Sequence, residues 1–430
     1  MTTARLALLV AGLGIASTLP AATLEDCYRQ ALKRSETLAE DRESIYQAEQ
    51  LYHQAIGAVL PNLALNFTYF RQDDHWDNPM VAPQVYGQNP PSQNQWTVQL
   101  SQPLFRGFSE YAAIREMKDS LVAGDEAHQW AGMQLYQDVS SAFFNVLALE
   151  KSRQLVDDEI KLYDGRLKEL NDFLAIGRSR PSDVETVQAD QALLQATEVQ
   201  LEAQIAAERE VLGFLTGEDP DQKLETPVSV PASAGDLSAY LKDAEDRRPD
   251  LKAAKERLEA AKENLAVNQG AHLPQVGLLA HWYVDRPGSD AQINWDAAVS
   301  ATLPLFEGFS LVAKDRQAKS QVRQAELDLE RQRRQNQTDI RTYWRNLDGD
   351  LAQVLALDKG ARLADKAYLS LKSDYEKGLC TNQDVLLALT SSRDAQRALE
   401  NAKFAARNDS EQLAVAAGLR LDRFQEDSAR

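Results

Sequence analysis

Beyond residue 22 the chain has no stretch that approaches the about 20 uninterrupted apolar residues a membrane helix requires. The remainder is therefore either soluble or crosses a membrane as β-structure. Cysteine is nearly absent: Cys27 and Cys380, far apart in sequence, give no disulfide framework, and two free thiols are expected. The five histidines, His53, His75, His128, His272 and His281, show no metal-ligand spacing. A phosphate-binding glycine loop, a GxSxG elbow and a zinc-binding His-Glu pattern are all missing. Catalysis, a cofactor and a bound metal are accordingly not expected. Positive charge is short as well, with 47 Lys and Arg against 65 Asp and Glu. That balance excludes nucleic acid as a partner and favours a field that attracts cations. The acids are spread along helix faces as solvated surface.

What is present begins with a leader. Arg5 is followed by an apolar run from Leu6 to Ala16 and then by small residues, the pattern of a secretory signal peptide over residues 1–21, with cleavage after Ala21 or Ala22. The run is too short to span a bilayer as a helix. Cys27 follows Leu24, Glu25 and Asp26 and does not sit at the cleavage point, so lipidation is not expected. Loss of Arg5 leaves 46 minus 65, a charge of −19, on the mature chain.

The rest repeats itself. Pro103-Leu104-Phe105-Arg106-Gly107-Phe108-Ser109 recurs 201 positions later as Pro304-Leu305-Phe306-Glu307-Gly308-Phe309-Ser310. The same shift carries Gly177 onto Gly378, Asp183-Val184 onto Asp384-Val385 and Gly217 onto Gly418. Upstream the shift is 213, pairing Gly57 with Gly270 and Leu60-Pro61 with Leu273-Pro274. Two copies, 22–217 and 236–418, are thus joined by a Pro-, Asp- and Ser-rich linker over 218–235, with a short tail over 419–430.

The twelve extra residues of the first copy fall in the loop Asp73 to Asn94. On either side the pattern has period two: Leu63, Leu65, Phe67 and Tyr69 before the loop, Trp96, Val98 and Leu100 after it. The second copy repeats this with Val276, Leu278, Ala280, Trp282 and Val284, then Trp295, Ala297, Val299, Ala301 and Leu303. Each half therefore holds one β-hairpin, at 61–103 and 274–304. Such alternation with aromatics near the ends suits a membrane barrel strand, although a soluble sheet packed on one face would read alike. Four strands cannot close a barrel, and an open edge cannot exist in lipid. Strands that span a membrane here must come from several chains.

Nearly everything else is helical. No proline interrupts Phe108 to Ile176, and Leu135, Val139, Ala142, Val146, Leu149, Arg153, Val156, Ile160, Tyr163, Leu167, Leu170 and Leu174 form a coiled-coil seam broken only by Arg153. The second copy matches it with Ala364, Tyr368, Leu371 and Tyr375, and with Ser392, Ala395, Leu399, Ala402 and Ala406 on its return helix. A helix of that length would run roughly 100 Å. The return helices, from Ser182 and from Gln383, are about half as long. Helices over Asp26 to Gly57 and Ala239 to Gly270 would stack end to end with them, giving a hollow cylinder of antiparallel helices capped by the hairpins.

On these marks, the duplicated Leu-Pro lead-ins, the Pro-Leu-Phe-x-Gly-Phe-Ser exits and the turns Gly177 to Val184 and Gly378 to Val385, the mature chain resembles the TolC-like outer-membrane efflux proteins. The resemblance implies a mainly α fold with a membrane β-barrel portion: a homotrimer whose chains share a twelve-stranded barrel in outer-membrane lipid, above a periplasmic α-helical tunnel. It also implies a passive exit duct of a tripartite efflux or type I secretion system, whose tip docks a periplasmic adaptor protein attached to an inner-membrane pump. A non-conducting coiled-coil rod or adaptor is the other reading of such heptads. Gly177, Arg178, Gly378 and Leu379 fall on the turns that would meet the adaptor. Asp183, Asp384 and Tyr375 fall where relatives constrict the entrance, while the same acids also suit helix capping. Cys380 and Leu387 depart from the family pattern, and Arg178 and Arg180 are the candidates for the missing positive charge.

Overall fold

The computed structural model describes residues 21–71, 92–219, 221–226, 229–287 and 290–420. The leader up to residue 20, most of the Asp73 to Asn94 loop, three linker residues and residues 421–430 of the tail lie outside the described residues. The fold is mainly helical. Helices α1 (Leu24–Arg34) and α2 (Glu36–Gly57) precede strands β1 (Asn62–Arg71) and β2 (Ser92–Arg106). A 67-residue helix α3 (Ser109–Ala175) and its return α4 (Pro181–Thr216) complete the first copy. The second copy gives α5 (Leu237–Arg247), α6 (Pro249–Gly270), β3 (Gln275–Asp285), β4 (Trp295–Thr302), α7 (Ser310–Glu376) and α8 (Asn382–Ala416).

The residues fall into two compact units. One holds the chain up to Ser35, Leu135–Ala234 and Asn346–Glu411; the other holds Glu36–Gln134, Gly235–Arg345 and the chain from Gln412 onward.

The second unit carries one antiparallel sheet in the order β1-β2-β3-β4. Leu65 faces Val98, Val98 faces Trp282, and Trp282 faces Trp295. Because side chains alternate at period two, this register gathers the apolar residues of all four strands on one face. Phe67 and Trp96 stack there with centroids 4.6 Å apart, and both are exposed. The other face is polar. Asn66 Nδ2 donates to Gln99 Oε1 at 3.1 Å, and Asp296 accepts from Tyr283 at 2.7 Å. No helix among the described residues is long and apolar enough to cross a membrane.

Each of the two helices expected over Asp26 to Gly57 and Ala239 to Gly270 is broken in two. Ser35 (ψ 110) and Arg248 (ψ 122) leave the helical region. At Arg248 the cause is Pro249, whose ring disfavours helical ψ in the residue before it. Each break sits against the left-handed glycine that ends a return helix. A Cβ on Gly217 (φ 71) would lie 3.0 Å from Arg34, and one on Gly418 (φ 76) would lie 3.0 Å from Arg247. The second junction adds a buried charge pair. Arg248, 2% exposed, grips Asp250 with two nitrogens at 3.0 and 2.8 Å, donates to the Ala416 carbonyl at 3.1 Å and stacks 4.4 Å from the Trp130 ring centroid. Gln332 donates to the same carboxylate at 2.7 Å, so the buried ions are well satisfied.

In the first unit, the seam of α3 is the core: Val139, Val146, Val156, Tyr163 and Leu170 are buried. Arg153, which interrupts the seam, stays half-exposed and pairs with Glu202 at 2.8 Å. Cys27 is buried and Cys380 is half-buried, and both are free thiols. Burial, followed by the neighbouring Asp26, pushes the Cys27 thiol up to about 12, which leaves it unreactive.

Candidate functional site

The two turns at the end of the long helices have one backbone. At the first, Gly177 has φ +74, its N–H donates to the Leu174 carbonyl at 3.0 Å, and Arg178 N–H donates to the Phe173 carbonyl at 2.8 Å. At the second, Gly378 has φ +76, its N–H donates to Tyr375 at 2.9 Å, and Leu379 N–H donates to Asp374 at 2.9 Å. This is a Schellman ending, in which the left-handed residue lets two carbonyls find donors. A Cβ on either glycine would meet nothing within 4 Å, so the requirement is the dihedral angle and not space. The turns present Ile176, Arg178 and Leu379 to solvent.

Asp183 and Asp384 are each the third residue of a return helix. Asp384 closes a full capping box: its carboxylate accepts from Thr381 N–H at 2.8 Å and Thr381 Oγ1 at 2.6 Å, while its own N–H reaches that hydroxyl at 3.3 Å. The Thr381 hydroxyl, then its amide, hold this carboxyl below the usual carboxylate range. Asp183 has a looser version. It accepts from Arg180 N–H at 3.2 Å and Ser179 Oγ at 3.4 Å, and the Arg180 guanidinium lies 3.5 Å away. Both acids therefore cap their helices, whatever else they do.

Tyr375 is half-buried, and its contact is made by the ring face: the Arg166 guanidinium lies 3.9 Å from the ring centroid. Arg166 is 6% exposed and forks onto Asn382 Oδ1 at 3.0 and 2.9 Å, with Glu169 at 2.7 Å. Arg166 is thus a buried cation near the tip that sequence reasoning had not singled out. Of the two cations expected there, Arg178 lies over Phe173 at 5.0 Å, and Arg180 lies 3.5 Å from Asp183. Beneath these contacts Tyr163, Leu170, Val187, Tyr368, Val385 and Leu389 form a buried core. Among the described residues no cluster of three or more His, Cys, Asp or Glu could hold a metal.

A sequence model of outer membrane efflux proteins matches residues 27–218 and 240–419, both copies and most of the chain. The chain belongs to the outer membrane efflux protein family. Its relatives include the outer membrane protein TolC of Escherichia coli K12, 22% identical over 91% of this chain and 81% of that protein. The outer membrane protein TolC of Vibrio cholerae is 23% identical over 71% of this chain and 72% of its own. Among solved structures, the outer membrane protein VceC of Vibrio cholerae superposes with a TM-score of 0.78 at 21% identity, covering 92% of this chain and 96% of that one. Family membership makes the chain an outer-membrane efflux channel of tripartite efflux or type I secretion, with a periplasmic helical domain, and not an enzyme. The coiled-coil rod reading is set aside on that ground.

Proposed function

We propose that three copies of this chain form the channel, each contributing its four strands to a single barrel in the outer membrane, and that the two tip turns form its periplasmic entrance. The observation that supports this reading is the four-stranded sheet with two open edges, β1 and β4, and one continuous apolar face. An unpaired edge cannot be tolerated in lipid, and closure through identical neighbours removes both edges at once. Exposed Leu63, Leu65 and Val299 then face lipid acyl chains.

At the entrance, three copies each of Asp183 and Asp384 around one axis would concentrate carboxylates in a confined lumen and favour cations. Arg178 and Leu379, on the exposed turns, would meet a periplasmic adaptor protein that links the channel to an inner-membrane pump; Gly177 and Gly378 set the turn that presents them. Tyr375, clamped by Arg166, would brace the resting arrangement. Planar-bilayer recordings of the parent, Asp183→Ala, Asp384→Ala and the double variant test the entrance. Weaker cation selectivity and weaker block by multivalent cations are expected in the double variant. Unchanged selectivity and block would show that these acids only cap their helices.

A further inference from the structure

The polar face of the sheet carries an ionisable pair in the second hairpin where the first has a neutral one. Under the shifts of 213 and 201, His281 and Asp296 correspond to Thr68 and Gln95. Each pair is directly opposed in its own hairpin: Thr68 faces Gln95, and His281 faces Asp296. Tyr283 likewise stands where the first copy has Phe70. A hairpin of this register is therefore built without charge, and strand pairing does not require the imidazole and carboxylate of the second.

The three side chains converge on one carboxylate. His281 Nδ1 and Asp296 Oδ1 are 2.9 Å apart, and the Tyr283 hydroxyl donates to Asp296 Oδ2 at 2.7 Å. The pair is not sealed off, since the His281 side chain is 24% exposed and that of Asp296 46%. Across the sheet its neighbours are uncharged: β2 sets Gln99 opposite His281 and Thr97 opposite Tyr283, and Asn66 of β1 donates to Gln99 at 3.1 Å. The other charges that act on the group come from the β3–β4 turn. There Arg286 lies 4.1 Å from the Tyr283 ring centroid and pairs with Asp290 at 3.2 Å, so these two charges offset each other. Asp285 ends β3 opposite Trp96.

We propose that His281 and Asp296 are a proton-controlled charge filter in the barrel lumen, close to its outer mouth. The inference rests on the shared-barrel reading above, which turns the polar face inward and puts the β3–β4 turn, the end of the sheet away from the helices, on the outside. With the imidazole neutral, each chain shows the lumen a carboxylate. With the imidazolium formed, the two side chains cancel. Imidazole is the side chain that changes charge between about pH 5 and 8. A ring of carboxylates lowers the energy of cations in a confined lumen, and a ring of ion pairs does not. Tyr283 is a positioning residue: its hydrogen bond holds the carboxylate beside the imidazole. The exit thus favours cations in alkaline surroundings and loses that preference in acid.

Reversal potentials in planar bilayers under a salt gradient test the filter, in an Asp183→Ala, Asp384→Ala background that removes the entrance acids. Between about pH 8 and about pH 5 the potential of this background should move toward zero as cation preference is lost. His281→Gln, which keeps a hydrogen-bond donor beside the carboxylate, should hold the alkaline potential across the same range. Asp296→Asn should lie near zero at both ends. An acid shift of equal size in His281→Gln overturns the proposal, and so does full cation preference in Asp296→Asn. A second arm reads which way the face points. In a Cys380→Ser background, where only buried Cys27 remains, His281→Cys should react with a charged, membrane-impermeant thiol reagent added outside, and Trp282→Cys on the apolar face should not. Reaction of Trp282→Cys alone, or of neither, overturns the filter. Equal reaction of both puts the sheet in water and removes the shared-barrel reading first.

Discussion

At the first tip, Asp183 is held by Ser179, by the Arg180 amide and by a guanidinium that is 77% exposed. At the second, Asp384 has the tighter box with Thr381, and Asn382 beside it is gripped by Arg166, which is 6% exposed and reaches across from the long helix of the first copy. The positions that correspond to Arg166 and Asn382 under the 201 shift are Ala367 and Pro181, so no such grip exists at the start of α4. The backbones match and their anchoring does not. An exposed ion pair is worth about 0–1 kcal/mol, whereas a buried hydrogen bond to a charged group is worth about 1.5–3. Moving the start of α4 therefore costs less than moving the start of α8.

The sharpest way to break that contrast is Arg166→Ala. It strips Asn382 of its donor and Tyr375 of its cation, a loss of about 3 kcal/mol, or roughly a hundredfold in local opening. Hydrogen exchange should show lost protection in the first turn of α8 with little change in α4. An equal loss at both tips would mean that the two are anchored alike. Arg166→Lys should rescue little, because an ammonium cannot fork onto Asn382 and lies poorly on the ring.

Smaller, and equal on the two sides, should be Gly177→Ala and Gly378→Ala. Each forces a side chain into the left-handed region at a cost of about 1–2 kcal/mol, with no steric contribution from neighbours. Thermal midpoints that differ clearly between these variants would place strain at one turn alone.

The smallest effect concerns acids that only the second copy pairs. Asp409 on α8 is raised to about 6 by burial and then by Asp350 on α7; Leu149 stands at the position that corresponds to Asp350 in the first copy. A raised carboxyl makes its full contribution to stability only below the ordinary value of 3.8, and that contribution is lost progressively as pH rises from there through about 6. Asp409→Asn should therefore raise the thermal midpoint most at pH 8, by less at pH 5, and leave it nearly unchanged below the ordinary carboxylate value of 3.8. Asp384 runs the other way: its lowered pKa contributes stability above the usual carboxylate range that fades as pH falls through it.

Much of this architecture was legible in the chain itself, because it is periodic. Alternation at Leu63, Leu65 and Phe67 marked strands, the seam from Val139 to Leu174 marked a long helix, and Gly177 and Gly378 marked its ends. Features that depend on which faces meet were not legible. Arg166 reads as an ordinary charge between seam residues until folding brings α8 beside it, and nothing local singles it out except that its repeat partner is Ala367. The breaks at Ser35 and Arg248 were likewise hidden, although Pro249 could have signalled the second. At Asp183 and Asp384 the sequence offered capping and constriction together. Capping is visible in one chain, while a ring of acids needs three.

The pairing of β2 with β3 also sets the order of events during synthesis. Ser101 finds Leu279 only after nearly a whole copy has emerged behind it. Helices and the first hairpin can form from neighbouring residues, but closing so long a loop is entropically costly and slow. Until then the outer edge of β2 is bare as well as that of β1, the condition in which strands recruit the wrong partners. A chain truncated after the first copy would stay in that condition permanently, which makes the second copy the first one's intramolecular protector as well as its twin.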